Sequence, residues 1–263
     1  MMARWMVAGL LALLPCQEKK QLTFVTYNVL ADAVRAKERI PVLLKLLKEA
    51  DADVIALQEV VPWFTALLAK EEWAKKYQTT TIRPEEAGGQ YLLSRHPIQR
   101  ASNHKLAGPQ GRTVLVATIK VGDRLIDVAT THMEAPLESG KVRARQLDAI
   151  FPLLKSEEAV FLGDLNFGDD EPEEKNLDAA FVDVWKSLKP GDQGFTWNIE
   201  TSDMAKKGSF PGEKSRRIDR ILVRSKVWKP REVRIIGDQP VVEGKKDLFP
   251  SDHFGLVGVL VRE

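Results

Sequence analysis

The chain has 263 residues, with 39 Lys and Arg against 37 Asp and Glu, for a formal net charge of +2. Apolar residues make up 44% and charged residues 29%, which excludes a disordered, collagen-like or multi-span membrane chain. So small a net charge argues against gross attraction to nucleic acid and leaves room only for a local basic groove, and the one cysteine, Cys16, excludes an intrachain disulfide and a cysteine-built zinc site.

Residues 1–20 stand apart. Arg4 is followed by an apolar run from Trp5 to Pro15, too short to span a bilayer, which takes about 20 residues. A positive start, a brief apolar core and the polar Gln17-Glu18-Lys19-Lys20 read as a secretory signal. Cys16 after Leu13-Leu14-Pro15 resembles a lipoprotein signal, in which the cysteine carries the lipid and holds the chain to a membrane. These features predict an exported chain: periplasmic, secreted or lipid-anchored. The competing reading is an N-terminal helix that packs on the domain of a cytoplasmic protein.

From residue 21 short β-rich runs alternate with helical segments. Thr23 to Val29 reads as a strand. Ile40, Leu43, Leu44 and Leu47 fall at helical spacing, with Pro41 suited to a first turn. Strands follow at 53–57, 91–94, 113–121 and 125–131. Leu147, Ile150, Phe151 and Leu154 mark a second amphipathic helix. Runs at 160–162, 218–223, 233–236 and 256–261 bring the total to about ten strands. With no repeat and no clear linker, one two-sheet α/β domain over 21–263 is the simplest organisation, two small domains being the alternative.

Polar residues recur at the C-terminal ends of these apolar runs. Asn28 closes the first, Gln58 and Glu59 the second, and His132 follows Thr131. Asp164 and Asn166 follow Leu162, and Asp252-His253 precedes the last. Singly, each also fits a turn, a cap or a solvated acid. Asp219 does not, because an acid among Ile218, Ile221 and Leu222 is costly unless paired, and His253 is a natural partner. Together the set suits phosphodiester hydrolysis. Glu59, helped by Asp252 or Asn28, offers the hard oxygen ligands that Mg²⁺ or Mn²⁺ prefers. Asp164 can deprotonate a water. Asn28 and Asn166 can bind phosphate oxygens, and His253 with His132 can donate to the developing oxyanion.

Thr26-Tyr27-Asn28-Val29, Leu57-Gln58-Glu59-Val60, Thr131-His132-Met133-Glu134, Gly163-Asp164-Leu165-Asn166, Arg217-Ile218-Asp219-Arg220 and Ser251-Asp252-His253 resemble, in order, the motifs of the endonuclease/exonuclease/phosphatase superfamily. The resemblance implies a DNase I-like four-layer α/β sandwich, two packed mixed sheets with helices outside, and Mg²⁺-dependent cleavage of a phosphate ester. It implies Glu59 as metal ligand, Asp164 as water activator and Asn166 as phosphate ligand. Asp219 and His253 become the paired groups, with His132 as a further catalytic donor and Asn28 and Asp252 as support for the metal.

Three stretches are similar to the tyrosyl-DNA phosphodiesterase 2-like branch of that superfamily, whose members remove protein tyrosine from 5′ DNA ends. These are 250–256, 194–198, and 131–134 with the following Arg143, Arg145 and Gln146. On that resemblance Trp197 offers a face to a base or sugar, and Arg143, Arg145, Lys206, Lys207, Arg216 and Arg217 contact phosphates of a nucleic acid bound by a monomer. An exported enzyme acting on phospholipid head groups or inositol phosphates is the second reading. A non-catalytic binding protein on the same fold is the third, although it predicts loss of Glu59, Asp164, Asn166 or His253, all of which are present.

Overall fold

A computed structural model describes residues 19–80 and 88–262; the apolar leader and Cys16 lie outside the described residues. In chain order the elements are β1 (Gln21–Asn28), α1 (Ala36–Ala50), β2 (Val54–Val60), α2 (Pro62–Leu68), β3 (Gln78–Thr79), β4 (Gly89–Ser94), β5 (Ile98–Lys105), β6 (Thr113–Val121), β7 (Arg124–His132), α3 (Gly140–Ile150), β8 (Glu158–Asp164), β9 (Val182–Asp183), α4 (Val184–Leu188), α5 (Asp203–Gly208), β10 (Asp219–Arg224), β11 (Trp228–Ile236) and β12 (Gly255–Arg262). The strands form two sheets, ordered β11-β12-β1-β2-β4-β3 and β5-β6-β7-β8-β10-β9. Each sheet is mixed. β1 runs parallel to β2 in one and β7 parallel to β8 in the other, and the remaining pairs are antiparallel.

Strand periodicity builds the layers. Leu22, Phe24, Val54 and Ala56 face Val160, Leu162 and Ile221 in the core between the sheets. Their alternates, Val25, Tyr27, Ile55 and Leu57, pack outward on Ile40, Leu43, Leu44 and Leu47 of α1. Ala159 and Phe161 of β8 likewise pack outward on Leu147 and Ile150 of α3. Because both faces of β2 and β8 are covered, Val54–Leu57 and Ala159–Leu162 read as unbroken apolar runs rather than alternating ones. The result is the four-layer sandwich expected.

Some boundaries differ. The described strands number twelve rather than about ten, because β3, β5 and β9 carry no apolar signal. β5, Ile98 to Lys105, lies at a sheet edge with its residues mostly exposed, and of these Ile98 and Ala101 pack on the core. α1 begins at Ala36, so Pro41 lies inside the helix rather than in its first turn. His132 closes β7, Glu59 lies within β2, and Asp219 opens β10 rather than sitting inside it.

Candidate active site

The two parallel pairs run the same way toward the site, so β1, β2, β7 and β8 deliver their C-terminal residues to one rim. Asn28, last in β1, is buried, and its Nδ2 lies 3.1 Å from Glu59 Oε1, 3.0 Å from Asp164 Oδ2 and 3.5 Å from His253 Nε2. One amide thus touches groups carried by both sheets. Beneath it, buried Gln58 donates through Nε2 to Thr130 Oγ1 at 2.9 Å, a polar bridge from β2 to β7.

Glu59 lies at a bulge where the β2–β4 register shifts, and its φ is +57°. That left-handed conformation turns the carboxylate out of the sheet plane. Oε2 accepts the Ala31 N–H at 3.0 Å, and Oε1 lies 3.6 Å from His132 Nδ1. Burial works to raise this carboxyl, but His132, the Ala31 N–H, Asn28 and His253 overcome it and hold it below its ordinary value. Asp164 ends β8, with Oδ1 accepting the Asn166 N–H at 3.0 Å and Oδ2 3.3 Å from His132 Nε2. It too is held low against burial, by His132, His253, Asn28 and Arg112. For His132 the balance runs the other way: burial lowers it, and Arg112 adds to that, against Asp164 and Glu59. Asn166 is also left-handed, φ +56°, and its Nδ2 donates to Met133 O at 3.0 Å.

Asp219 is in cross-strand register with Asp164. Its Oδ2 lies 2.9 Å from His253 Nδ1, while His253 Nε2 lies 3.6 Å from Asp164 Oδ2. Burial disfavours the His253 cation, but Asp219, Asp164 and Asp252 outweigh it and push the imidazole well above its ordinary value. Burial also raises Asp219, to about 6. The two share a proton that the pair retains on the ring. Ser251 Oγ donates to Asn28 O at 2.7 Å, which ties the Asp252-His253 loop to the end of β1. Asp252, half-buried, is raised by burial and by the Glu59 charge.

Among the described residues, Asp164, Asp219 and His253 each offer a ligand atom within 4.8 Å of one another. Asp219 Oδ2 and His253 Nδ1 are hydrogen-bonded to each other, and we read this trio as an acid–base group. Glu59 and Asp252 carry hard oxygens of the kind that suit a divalent cation, and the repulsion by which Glu59 raises Asp252 is what such a cation would relieve; Asn28 Oδ1 accepts the Leu30 N–H at 3.1 Å while its Nδ2 faces Glu59, so its amide positions that carboxylate.

The expectations for Arg143, Trp197, Arg216 and Arg217 fail. Arg143 does not reach the site. It is buried, with Nε on Glu173 Oε1 at 2.7 Å and its Nη groups on the carbonyls of Glu134, Pro136 and Leu137, so its donors hold the turn after His132. Trp197 is 7% exposed and packs against His253, ring centroids 4.8 Å apart and ring planes tilted by 54°. So buried a ring leaves little face for a base. Arg145 lies exposed on α3 and Lys206 and Lys207 exposed on α5. Arg216 and Arg217 are tied up in ion pairs with Glu171, Glu213, Asp169 and Asp183.

Sequence reasoning missed two arginines. Arg112, in the β5–β6 loop, interacts electrostatically with Asp164, Glu59 and Glu134, and burial lowers its pKa against them. Gln110 Oε1 accepts from its Nε and Nη2 at 3.2 and 3.0 Å. Arg39 of α1 is fully buried and donates to five backbone carbonyls, Val29, Leu30, Asp32, Val34 and Pro250, which brace the loops on either side of Asn28 and Asp252. Neither sits in a motif, and no local pattern marks them.

Residues 25–253 match the Endonuclease/Exonuclease/phosphatase family. The chain belongs to that family. It is an enzyme that hydrolyses phosphate ester bonds. Tyrosyl-DNA phosphodiesterase 2 of Xenopus laevis is 27% identical over 255 residues, covering 92% of this chain and 67% of the relative. The Rattus norvegicus protein of the same name is 27% identical over 258 residues, covering 94% and 68%. Among solved structures, D. rerio TDP2 complexed with single-strand DNA product superposes with a TM-score of 0.78 at 21% identity, covering 92% of this chain and 99% of that one. The human Nocturnin catalytic domain with bound sulfate gives 0.71 at 18%, covering 94% and 95%. At these identities the structures establish the shared fold.

Proposed function

We propose that this enzyme is a Mg²⁺-dependent phosphodiesterase acting on DNA ends, of the 5′-tyrosyl-DNA type, working as a monomer outside the cytoplasm after export through its leader. The observation that carries the chemistry is the hydrogen-bonded chain Asp219–His253 with Asn28, Asp164 and Glu59, drawn from both sheets. DNA as the substrate rests on the similarity to relatives named tyrosyl-DNA phosphodiesterase 2, at 27% identity over nine-tenths of the chain.

In this reading Glu59 and Asp252 would hold the cation, with Asn28 orienting Glu59, and the cation would neutralise charge on the phosphate and the leaving oxygen. Asp164, kept ionised, takes a proton from the attacking water as its oxygen bonds to phosphorus. The bond to the leaving oxygen breaks, and that oxygen takes a proton from solvent. His253, kept protonated by Asp219, donates through Nε2 to a non-bridging phosphate oxygen, and neutral His132 and the Asn166 amide bind the same group. Arg112 places a further positive charge beside the reacting phosphate.

The test is one panel in Mg²⁺, repeated in Mn²⁺ and in excess chelator: a 5′-tyrosyl oligonucleotide, single- and double-stranded DNA, RNA, sphingomyelin and an inositol phosphate. The expected order has the tyrosyl oligonucleotide first and no turnover in chelator. Preference for sphingomyelin or the inositol phosphate would overturn the DNA reading, and full turnover in chelator would overturn the metal reading.

A further inference from the structure

Asp219 and His253 are mounted on separate parts of the fold. Asp219 opens β10, and His253 stands just before β12. Those two strands belong to different sheets, so the 2.9 Å contact between Asp219 Oδ2 and His253 Nδ1 has to be set by something that touches both carriers. One residue does so. Thr196, fully buried, accepts two consecutive N–H groups at its Oγ1, from Ile218 at 3.1 Å and from Asp219 at 3.0 Å. Its carbonyl accepts the Phe254 N–H at 2.7 Å, and its own N–H donates to Arg216 O at 3.2 Å. The next residue, Trp197, packs against the imidazole itself.

A hydroxyl whose oxygen accepts from the backbone still has its hydrogen to give. Asp219 supplies an acceptor. Its Oδ1 is buried and has no hydrogen-bond partner of ordinary geometry among the described residues, and His253 is its one ion-pair partner among them. A carboxylate oxygen left bare in a dry interior is costly. The Thr196 side chain acts on this carboxyl as a hydrogen-bond donor, working to lower it against burial.

We propose that Thr196 is the positioning residue of the Asp219–His253 pair: its hydroxyl directs its hydrogen to Asp219 Oδ1 and so fixes the rotamer that presents Oδ2 to His253 Nδ1, while its carbonyl holds the backbone beside His253 at the matching distance. Thr196 touches neither the substrate nor the reacting atoms. Its effect on turnover rests on the acid–base reading of the pair given above and not on the choice of DNA as substrate.

The test compares the wild type with Thr196→Ser, Thr196→Cys and Thr196→Val. Serine keeps the hydroxyl, cysteine keeps the size with a weak donor, and valine keeps the shape with no polar atom. Three quantities are measured: Tm; kcat and KM for a small chromogenic phosphodiester in Mg²⁺, at a temperature where each protein is folded; and the far-downfield ¹H resonance of the His253 Nδ1 proton, identified by its loss in His253→Gln. The expected result for Thr196→Val is a kcat lowered roughly tenfold to a hundredfold with KM within about twofold of the wild type, since His253 acts on charge that develops in the transition state. Thr196→Ser restores kcat to within about threefold, and Thr196→Cys falls between. The Nδ1 proton moves in the valine protein and stays in place in the serine protein. If the valine protein does not fold, the cysteine protein takes its place in every comparison. A lowered Tm with kcat and the Nδ1 proton unchanged would show that Thr196 only closes the backbone, and overturns the proposal. So does a raised KM at constant kcat. Movement of the Nδ1 proton with kcat unchanged keeps Thr196 as the residue that places the pair and overturns instead the acid–base role of the pair.

Discussion

Replacing Arg39 by methionine removes a fully buried guanidinium and leaves an unbranched side chain in its place. Five carbonyls lose their donor. Those of Leu30, Asp32 and Val34 belong to part-buried bonds that water can replace, whereas the bonds to Val29 O, at 2.9 Å, and Pro250 O, at 3.3 Å, are buried. A buried acceptor left unsatisfied costs about 1–3 kcal/mol. Two of them set the loss at about 2–6 kcal/mol. Against this stands relief of the buried charge, whose cost is visible in the lowering of the Arg39 pKa by burial. The net destabilisation is therefore about 2–4 kcal/mol, or a fall in Tm of roughly 5–15 °C for a domain of this size. Turnover falls further than stability, by roughly a hundredfold, because the two loops carry Asn28 and Asp252-His253 and small misplacements of catalytic groups are costly. Thermal unfolding by circular dichroism and hydrolysis of a small chromogenic diester, both at a temperature where the variant is folded, measure the two effects. Arg39→Lys keeps the charge without the fork and falls between. An Arg39→Met protein with wild-type Tm and turnover would refute the idea that this arginine braces the loops.

Asp164→Asn lowers turnover by roughly 10²–10⁴-fold with little change in Tm, since the amide keeps the shape and loses the base; a variant with wild-type activity removes Asp164 from the proposed chemistry. Arg112→Ala lowers turnover with the fold intact, and unchanged kinetics would show that its charge does not reach the phosphate. Trp197→Ala impairs a small chromogenic diester as severely as an oligonucleotide, because the ring supports His253; a loss confined to the oligonucleotide would restore the role of a base-stacking face. Asp169 and Glu174 are held below their ordinary values, burial being outweighed by Arg217, Arg220 and Lys186. A depressed folded pKa contributes stability above the unfolded value and loses it as pH falls through the folded one. The urea midpoint of the wild type should therefore drop more steeply below about pH 4 than that of Asp169→Asn/Glu174→Gln, and parallel pH curves for the two proteins would disprove the contribution.

What could be read from the sequence was what local chemistry dictates. Strands such as Val54–Val60, buried on both faces, show as apolar runs, and polar residues at their ends stand out against them. Asp219 was conspicuous because an acid beside Ile218 and Ile221 needs a partner, and His253 is that partner at 2.9 Å. Charge without context misled. Arg143 looks like any surface arginine in sequence, but Glu173, 30 residues away, and three carbonyls claim it. Arg39 and Arg112 escaped for the same reason, since what they bind is set by loops meeting in space. β5 escaped because its core-packed residues, Ile98 and Ala101, are three apart across a register shift and leave no apolar period of two to detect.

The left-handed backbone at Glu59 has a consequence for how this protein could change. Asparagine, as at Asn166, tolerates that conformation, whereas a glutamate is strained there by about 1–2 kcal/mol. Glycine at position 59 is free of that strain and also lacks the carboxylate. Drift toward a more durable but inert protein is therefore open at the very position the chemistry needs, and only selection for activity keeps the glutamate in place.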